Sequence, residues 1–326
     1  MVVIKVERVS KEYRIKQTEP GIKGALKGLF YSNTKTIQAV KDISLTVNEK
    51  EIVGLLGANG AGKTTLLKLL TGLLYPTCGT ISVLGYRPFE RLPEFKKQIT
   101  MVMGNKNQLW WDLPPIESFN LTKEIYQISN KEYKHNLEYL VNLFNIEDLL
   151  NTQVRNLSLG QRMKCELINS LLHFPKVIFL DEPTLGLDII SQKMIRQFIK
   201  KYVQENNATV IITSHYIQDI TNLADRIVIL NQGEKIYDNS LSEFIKEHQL
   251  YKKVTVFAKK LRILPDTWNE MLLESDVFKA TYKIPNQLIS RFLQEISAVN
   301  TQIENLVVED VPIDNILEEY LGRAYN

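Results

Sequence analysis

The chain has 326 residues, enough for about two domains at ~150 residues each and for a core that needs no disulfide or metal staple. Its 40 Lys and Arg nearly balance 37 Asp and Glu, leaving a net +3, which excludes binding of polyanions over a strongly basic surface but not a local basic patch. With 44% hydrophobic and 24% charged residues, the composition is that of an ordinary folded protein rather than a disordered or fibrous one.

From Met1 to Ser10, Val2, Ile4 and Val6 are interleaved with Lys5, Glu7 and Arg8. This predicts a first β-strand and lacks the continuous apolar core of a signal peptide. Between Gly21 and Tyr31, Ile22, Leu26, Leu29 and Phe30 fall on one helical face; packing on the parent domain is its expected use, ahead of a membrane surface or a partner. Strands are predicted over Glu51 to Leu56, Gln98 to Met103, Val177 to Leu180, Ala208 to Thr213 and Arg226 to Leu230, alternating with helical runs as in an α/β domain. An all-helical insert from Ile116 to Phe174 separates the second and third, with Leu137, Leu140, Val141 and Phe144 at helical spacing. After Glu247 the pattern changes: strands around Val254 to Ala258, Phe278 to Ile284 and Ile303 to Glu309 are interleaved with helices carrying Leu288 to Ile296 and Ile313 to Leu321. The expected division is a first domain over 1–248, with a helical subdomain at about 105–174, and a small α+β domain over 249–326. No run approaches ~18 apolar residues, so no membrane span is expected. Cys78, in an expected turn, and Cys165, in a helix, read as two reduced thiols of a cytoplasmic protein. His135, His173 and His248 read as structural.

Gly57-Ala58-Asn59-Gly60-Ala61-Gly62-Lys63-Thr64-Thr65 follows the apolar run Ile52 to Leu56 and precedes Leu66, Leu67, Leu69 and Leu70. This is G-x-x-x-x-G-K-[ST] in the strand, loop, helix setting that a phosphate-binding loop requires. Its glycines let successive N–H groups converge on phosphate oxygens, and the helix N-terminus adds positive potential. Lys63 is placed to reach the β- and γ-phosphates, Thr64 to ligate Mg²⁺ and Thr65 to donate to an α-phosphate. Farther on, Val177-Ile178-Phe179-Leu180-Asp181-Glu182-Pro183 is a buried strand ending in two carboxylates. Paired with the phosphate loop they complete a nucleoside triphosphate site, Asp181 on Mg²⁺ and Glu182 orienting or deprotonating a water.

Between these motifs stands Leu157-Ser158-Leu159-Gly160-Gln161, before a helix expected near Arg162. Taken alone it is a helix N-cap by Ser158. In the order phosphate loop, pentapeptide, paired acids, the chain resembles the ATP-binding cassette (ABC) ATPases, whose signature reads LSGGQ, with Leu159 as the one departure. The resemblance covers about residues 1–245 and implies an α/β P-loop NTPase core of ABC type. It assigns Leu187-Asp188 to the family's D-loop, Thr213-Ser214-His215 to the switch histidine that contacts the γ-phosphate, and Tyr13 to stacking on adenine. It places a Mg²⁺-sensing glutamine where alignment through Leu109 to Leu113 puts Asn105, with Gln108 as a rival. The implied site is thus Lys63, Glu182 and His215 in catalysis; Thr64, Asn105 and Asp181 on the metal; and Tyr13, Gly57, Asn59, Gly60, Ala61, Gly62, Lys63, Thr64, Thr65, Ser158, Gly160, Gln161 and Asp188 on the nucleotide.

The family likeness also implies ATP and Mg²⁺ as cofactors and a head-to-tail dimer, either of two copies or with a paired ABC ATPase. It further implies a separate membrane permease that holds the subunit at the cytoplasmic face of the membrane. The stretch Asn107 to Pro114 and the insertion around Gly24 to Phe30 resemble the branch serving drug, antibiotic or viologen exporter permeases, and the distal module resembles the tail of exporter-type members. Leu109, Trp110 and Trp111 are expected either to anchor the permease or to fill a gap between sheet and insert. The alternative function is a non-transport ABC ATPase acting on ribosomes or DNA. The chain carries one cassette, no long coiled coil and little net charge, so no nucleic acid is expected. A cassette that only binds ATP to regulate a partner is disfavoured by the presence of Lys63, Asp181, Glu182 and His215.

Overall fold

A computed structural model describes residues 1–17, 33–104, 106–214, 216–259, 266–299 and 303–325. The helical face expected between Gly21 and Tyr31 lies outside the described residues, as do Asn105 and His215. The chain divides into two compact units, Met1–Ser240 and Leu241–Asn326.

The first unit holds two sheets. An antiparallel one, in the order β2-β1-β4, joins β1 (Val2–Gln17), β2 (Asn33–Asn48) and β4 (Cys78–Val83). Cys78 therefore opens a strand instead of lying in a turn, because its backbone pairs with Ser10. The larger sheet comprises β3 (Ile52–Leu56), β5 (Ile99–Met103), β6 (Val177–Asp181), β7 (Thr209–Thr213), β8 (Arg226–Asn231) and β9 (Glu234–Ser240), in the order β5-β6-β7-β3-β8-β9. Its first five strands are parallel and β9 closes the edge antiparallel to β8. Every residue of β3, β6 and β7 is buried. Strands covered on both faces read as continuous apolar runs, which explains why these were visible in the sequence without alternation.

Helix α1 (Lys63–Leu70) leaves β3 through the glycine-rich turn and buries Leu66, Leu67, Leu69 and Leu70. A one-turn helix, α2 (Pro93–Lys96), precedes β5. The insert is helical as expected: α3 (Pro115–Tyr126), α4 (Asn130–Phe144) and α5 (Leu159–Leu171). Helix α5 starts three residues before Arg162. Ser158 caps it, and a reciprocal box in which Gln161 N donates to Ser158 Oγ at 3.3 Å and Ser158 N to Gln161 Oε1 at 2.9 Å fixes the first turn at Leu159. After β6 come α6 (Ile189–Asn206), capped by Asp188, and α7 (Ile217–Leu223).

Residues 106–114, between β5 and α3, are anchored on α5. The buried Glu166 carboxylate accepts from Gln108 N (3.0 Å) and Leu109 N (3.3 Å), and burial raises its pKa. Leu109 is buried, whereas Trp110 and Trp111 are each 48% exposed. Leu109 is thus packed inward and the two tryptophans face outward, with the Arg162 guanidinium 5.5 Å from the Trp111 ring centroid.

The second unit begins with α8 (Leu241–His248) and contains an antiparallel sheet in the order β11-β12-β10-β13: β10 (Tyr251–Ala258), β11 (Leu272–Ser275), β12 (Lys279–Pro285) and β13 (Ile303–Asp310). Helices α9 (Ile289–Val299) and α10 (Ile313–Tyr325) complete it. Its core gathers Val254, Val256, Trp268, Tyr282, Phe292 and Ile296, with Trp268 edge-on to Phe292 at 5.0 Å. Strand β11 had no expected counterpart: four residues without alternation give no signal until β12 pairs with them.

Candidate functional site

The site forms at the carboxyl ends of the parallel strands, where α/β sheets gather their loops. Adjacent registers bring Met103, Asp181 and Thr213 into line, and Thr213 beside Leu55, at the ends of four neighbouring strands.

The loop from Gly57 to Gly62 takes a path open only to glycine at two points. Gly57 has φ 146° and an added Cβ would lie 2.3 Å from Leu230 O; Gly62 has φ 106° and its Cβ would lie 2.3 Å from Ala39 O. The loop is therefore walled by backbone on its protein side. Gly60 (φ 83°) has open space where a Cβ would point. Ala61 is buried and Asn59 exposed. Lys63, 5% exposed, curls back so that Nζ donates to Gly57 O at 2.6 Å and Ala58 O at 3.1 Å. Burial lowers its pKa, a cost that Glu182 and Asp181 partly offset. A buried ammonium held by two carbonyls in the mouth of a glycine loop, at the N-terminus of α1, is a cation poised for an anionic ligand.

Thr64 Oγ1 donates to Asp181, 2.9 Å from Oδ2 and 3.1 Å from Oδ1. Thr213 Oγ1 donates to Asp181 Oδ1 at 2.8 Å and itself accepts from Glu182 N at 3.1 Å. Glu182 adopts φ 57°, a left-handed conformation that non-glycine residues hold only where their surroundings impose it. Together Thr64, Lys68, Met103, Lys106, Asp181 and Glu182 line one cleft. Among the described residues no group of three or more His, Cys, Asp and Glu could form a metal cage. The hard-oxygen pair Thr64 and Asp181 suits the other mode of Mg²⁺ binding, in which the protein supplies a few oxygens and the phosphates and water the rest.

The remaining expected residues are dispersed in one subunit. Tyr13 is half-buried on β1, in the antiparallel sheet, paired with Ile37 and with Lys11 Nζ 5.5 Å from its ring centroid. Ser158 and Gln161 cap α5. Gly160 is packed so tightly on α6 that a Cβ would lie 2.4 Å from Ser191 Oγ. Asp188 accepts from Ser191 Oγ (2.6 Å) and Ser191 N (3.0 Å), which holds its pKa below the ordinary carboxylate value. Gln108 spends its carboxamide elsewhere: Nε2 donates to Met101 O at 3.1 Å and Oε1 accepts from Ser170 Oγ at 3.2 Å. Residues given no role of their own in the sequence also join the site. Thr213 orients Asp181, Lys68 and Lys106 line the cleft, and Gly104 passes so close to the strand end that its Cβ would lie 2.0 Å from Glu182 O. Besides its place in Thr213-Ser214-His215, a polar residue closing the apolar run Val210 to Ile212 was the available hint of the part Thr213 plays.

A family model described as ABC transporter matches residues 40–185. The ABC transporter ATP-binding protein NatA of Bacillus subtilis is 33% identical over 232 residues, 71% of this chain and 94% of that protein. YcbN of the same organism, an uncharacterised ABC transporter ATP-binding protein, is 29% identical over 88% of this chain and 91% of its own length, so that likeness reaches into the second unit. Among solved structures, a dimeric post-hydrolysis state of the ATP-binding cassette MJ0796 bound to ADP and Pi matches with a TM-score of 0.59 at 24% identity, over 73% of this chain and 98% of that one, which shows a common fold. Likeness along nearly all of NatA agrees with a glycine loop, a buried lysine and a Thr64–Asp181 pair at the strand ends: the chain belongs to the ABC transporter ATP-binding protein family, ATPases of the P-loop fold.

Proposed function

We propose that this protein is the ATP-hydrolysing subunit of an ABC exporter, acting as a head-to-tail dimer on a separate permease. The observation that carries the reading is the convergence of Thr64, Asp181 and Glu182, from two loops 118 positions apart in sequence, into one cleft, with the buried Lys63 ammonium near enough to Glu182 and Asp181 to be stabilised by their charge. In this reading the N–H groups of residues 57–65 hold the ATP phosphates, and Lys63 exchanges its two carbonyl partners for β- and γ-phosphate oxygens. Thr64 and Asp181 hold Mg²⁺, which neutralises charge developing on the phosphates. Glu182 orients the attacking water and takes its proton, and His215 contacts the γ-phosphate. Rate enhancement comes chiefly from positioning and electrostatics.

Ser158, Gly160 and Gln161 lie on α5, whose first turn is exposed at Ser158 and Leu159. We assign them to the nucleotide of the partner subunit, so that the γ-phosphate becomes part of the dimer interface and hydrolysis releases it. Among the described residues no helix is long and apolar enough to cross a membrane, and transport then requires a permease; the outward Trp110 and Trp111 are its proposed contact, which places the subunit peripherally at the membrane. Tyr13 is assigned to the adenine and Asn105 to Mg²⁺.

Two measurements test this. Glu182→Gln is expected to bind ATP normally, hydrolyse it at least about 100-fold more slowly and accumulate as an ATP-bound dimer; hydrolysis at the wild-type rate removes Glu182 from its role. Tagged protein purified from detergent-solubilised native membranes is expected to bring a polytopic membrane protein in near-equal amount. Recovery only from the soluble fraction, alone or with ribosomal or DNA-bound proteins, moves the function to the non-transport alternative.

A further inference from the structure

One carboxylate ties together the segments that follow β6 and β7. Asp219, in the first turn of α7, is fully buried. Its Oδ2 accepts from Thr184 Oγ1 and, at 2.7 Å, from Ser214 Oγ; its Oδ1 pairs with the guanidinium of Arg196 on α6. Thr184 and Ser214 are 1% and 5% exposed. Thr184 stands two residues after Glu182, and Ser214 stands one residue before His215. Ser214 Oγ also accepts from Tyr216 N at 3.0 Å, and Thr184 O from Leu187 N at 3.2 Å, so each hydroxyl residue is fastened to its own loop as well as to Asp219.

We propose that Asp219 is a positioning residue for ATP hydrolysis: with Arg196 as its counter-ion, it locks the loop carrying Glu182 to the loop that leads into His215. The inference rests on the roles proposed above for those two residues. The physical case has three parts. First, Glu182 sits at φ 57°, which persists only if both flanks are constrained. On its N-terminal side Glu182 N is bound to Thr213, at 3.1 Å from both O and Oγ1; on its C-terminal side Glu182 O accepts from Leu185 N at 3.2 Å, and the buried Thr184 is held on Asp219. Second, stability alone does not call for this arrangement, since apolar groups of similar volume usually fill such a site at no loss. A charged pair with two hydroxyls from different loops adds direction: moving either loop strips a donor from a buried carboxylate, which is costly for each bond lost. Third, none of the four residues lines the cleft formed by Thr64, Lys68, Met103, Lys106, Asp181 and Glu182. Their effect should therefore fall on turnover and not on ATP affinity.

The test separates positioning from stability in the full-length protein. Thr184→Val and Ser214→Ala, singly and combined, keep the ion pair and remove the hydroxyls. The combined variant is expected to lose about tenfold or more in kcat while KM for ATP stays within about twofold of wild type, and Thr184→Ser, which retains the hydroxyl, is expected to keep the wild-type rate. Arg196→Met/Asp219→Leu removes both charges but strands the two buried hydroxyls, so it is expected to melt below the wild-type temperature and to remain slow at temperatures where it is folded. Wild-type kcat in the Thr184→Val/Ser214→Ala variant, or a proportional loss of ATP affinity, overturns the proposal; so does wild-type kcat in the Arg196→Met/Asp219→Leu variant, and if that protein does not fold the hydroxyl pair decides alone. Glu182→Gln assayed alongside distinguishes the two levels. If it is inactive while the hydroxyl variants are normal, only this inference fails; if it turns over at the wild-type rate, the assignment beneath it fails.

Discussion

Replacing Thr213 with valine removes one hydroxyl at nearly constant volume from a fully buried position. Glu182 N keeps a partner, because it also reaches Thr213 O at 3.1 Å. The loss therefore falls on Asp181, whose Oδ1 is left with the Thr64 hydroxyl at 3.1 Å in place of a 2.8 Å bond from Thr213. A hydrogen bond to a charged group contributes about 1.5–3 kcal/mol. If the orientation of Asp181 matters in the transition state, that energy corresponds to a fall of about 10- to 150-fold in kcat. ATP affinity should change far less, since Lys63 and the glycine loop keep all their contacts. The assay is phosphate release at saturating ATP and Mg²⁺, with nucleotide titration and thermal melting in parallel. Thr213→Ser, which restores the hydroxyl, should recover most of the rate. A Thr213→Val enzyme within twofold of wild-type kcat would refute the reasoning, as would a loss of ATP affinity equal to the loss of rate.

Three further outcomes are expected. Lys63→Ala should weaken ATP binding at least about tenfold in a calorimetric titration, because a buried cation loses its role as phosphate partner; unchanged affinity would remove Lys63 from the phosphate site. Gly160→Ala drives a methyl to 2.4 Å from Ser191 Oγ and should cost about 1–3 kcal/mol of stability by overpacking. Adding Ser191→Ala should recover part of that, and strictly additive effects of the two changes would show that the contact is not the cause. His173, stacked on Tyr126 at 3.8 Å and bonded through Nε2 to Ile99 O, has its pKa pushed by burial from 6.5 to about 4. The unfolded chain therefore binds this proton first, and stability falls as pH drops from 6.5 towards 4, by about 2 kcal/mol at pH 5 from this group alone. His173→Phe should flatten the difference between urea midpoints at pH 7.5 and pH 5; an unchanged difference would exclude His173 as its source.

Much of this molecule was readable along the chain because its determinants are contiguous. The phosphate loop occupies nine successive residues whose glycines, lysine and hydroxyls have no other economical use, and the buried parallel strands announce themselves as unbroken apolar runs. The Ser158–Gln161 box is equally local, although only the structure moved the helix start back to Leu159. Contacts between segments decided the rest. Whether Leu109, Trp110 and Trp111 point inward or outward depends on where Glu166, 57 positions from Leu109, grips the backbone. Gln108 was read as a rival metal sensor, and only the fold shows that its amide bonds to Met101 O and Ser170 Oγ. Thr213 was named only as a neighbour of His215, and Asp219 stands in no motif; each acquires its part from a partner more than 30 residues away, Asp181 in one case and Thr184 in the other. A side chain's chemistry is set by its type, but its hydrogen-bond partners, its burial and hence its proton affinity are properties of neighbours that only folding supplies.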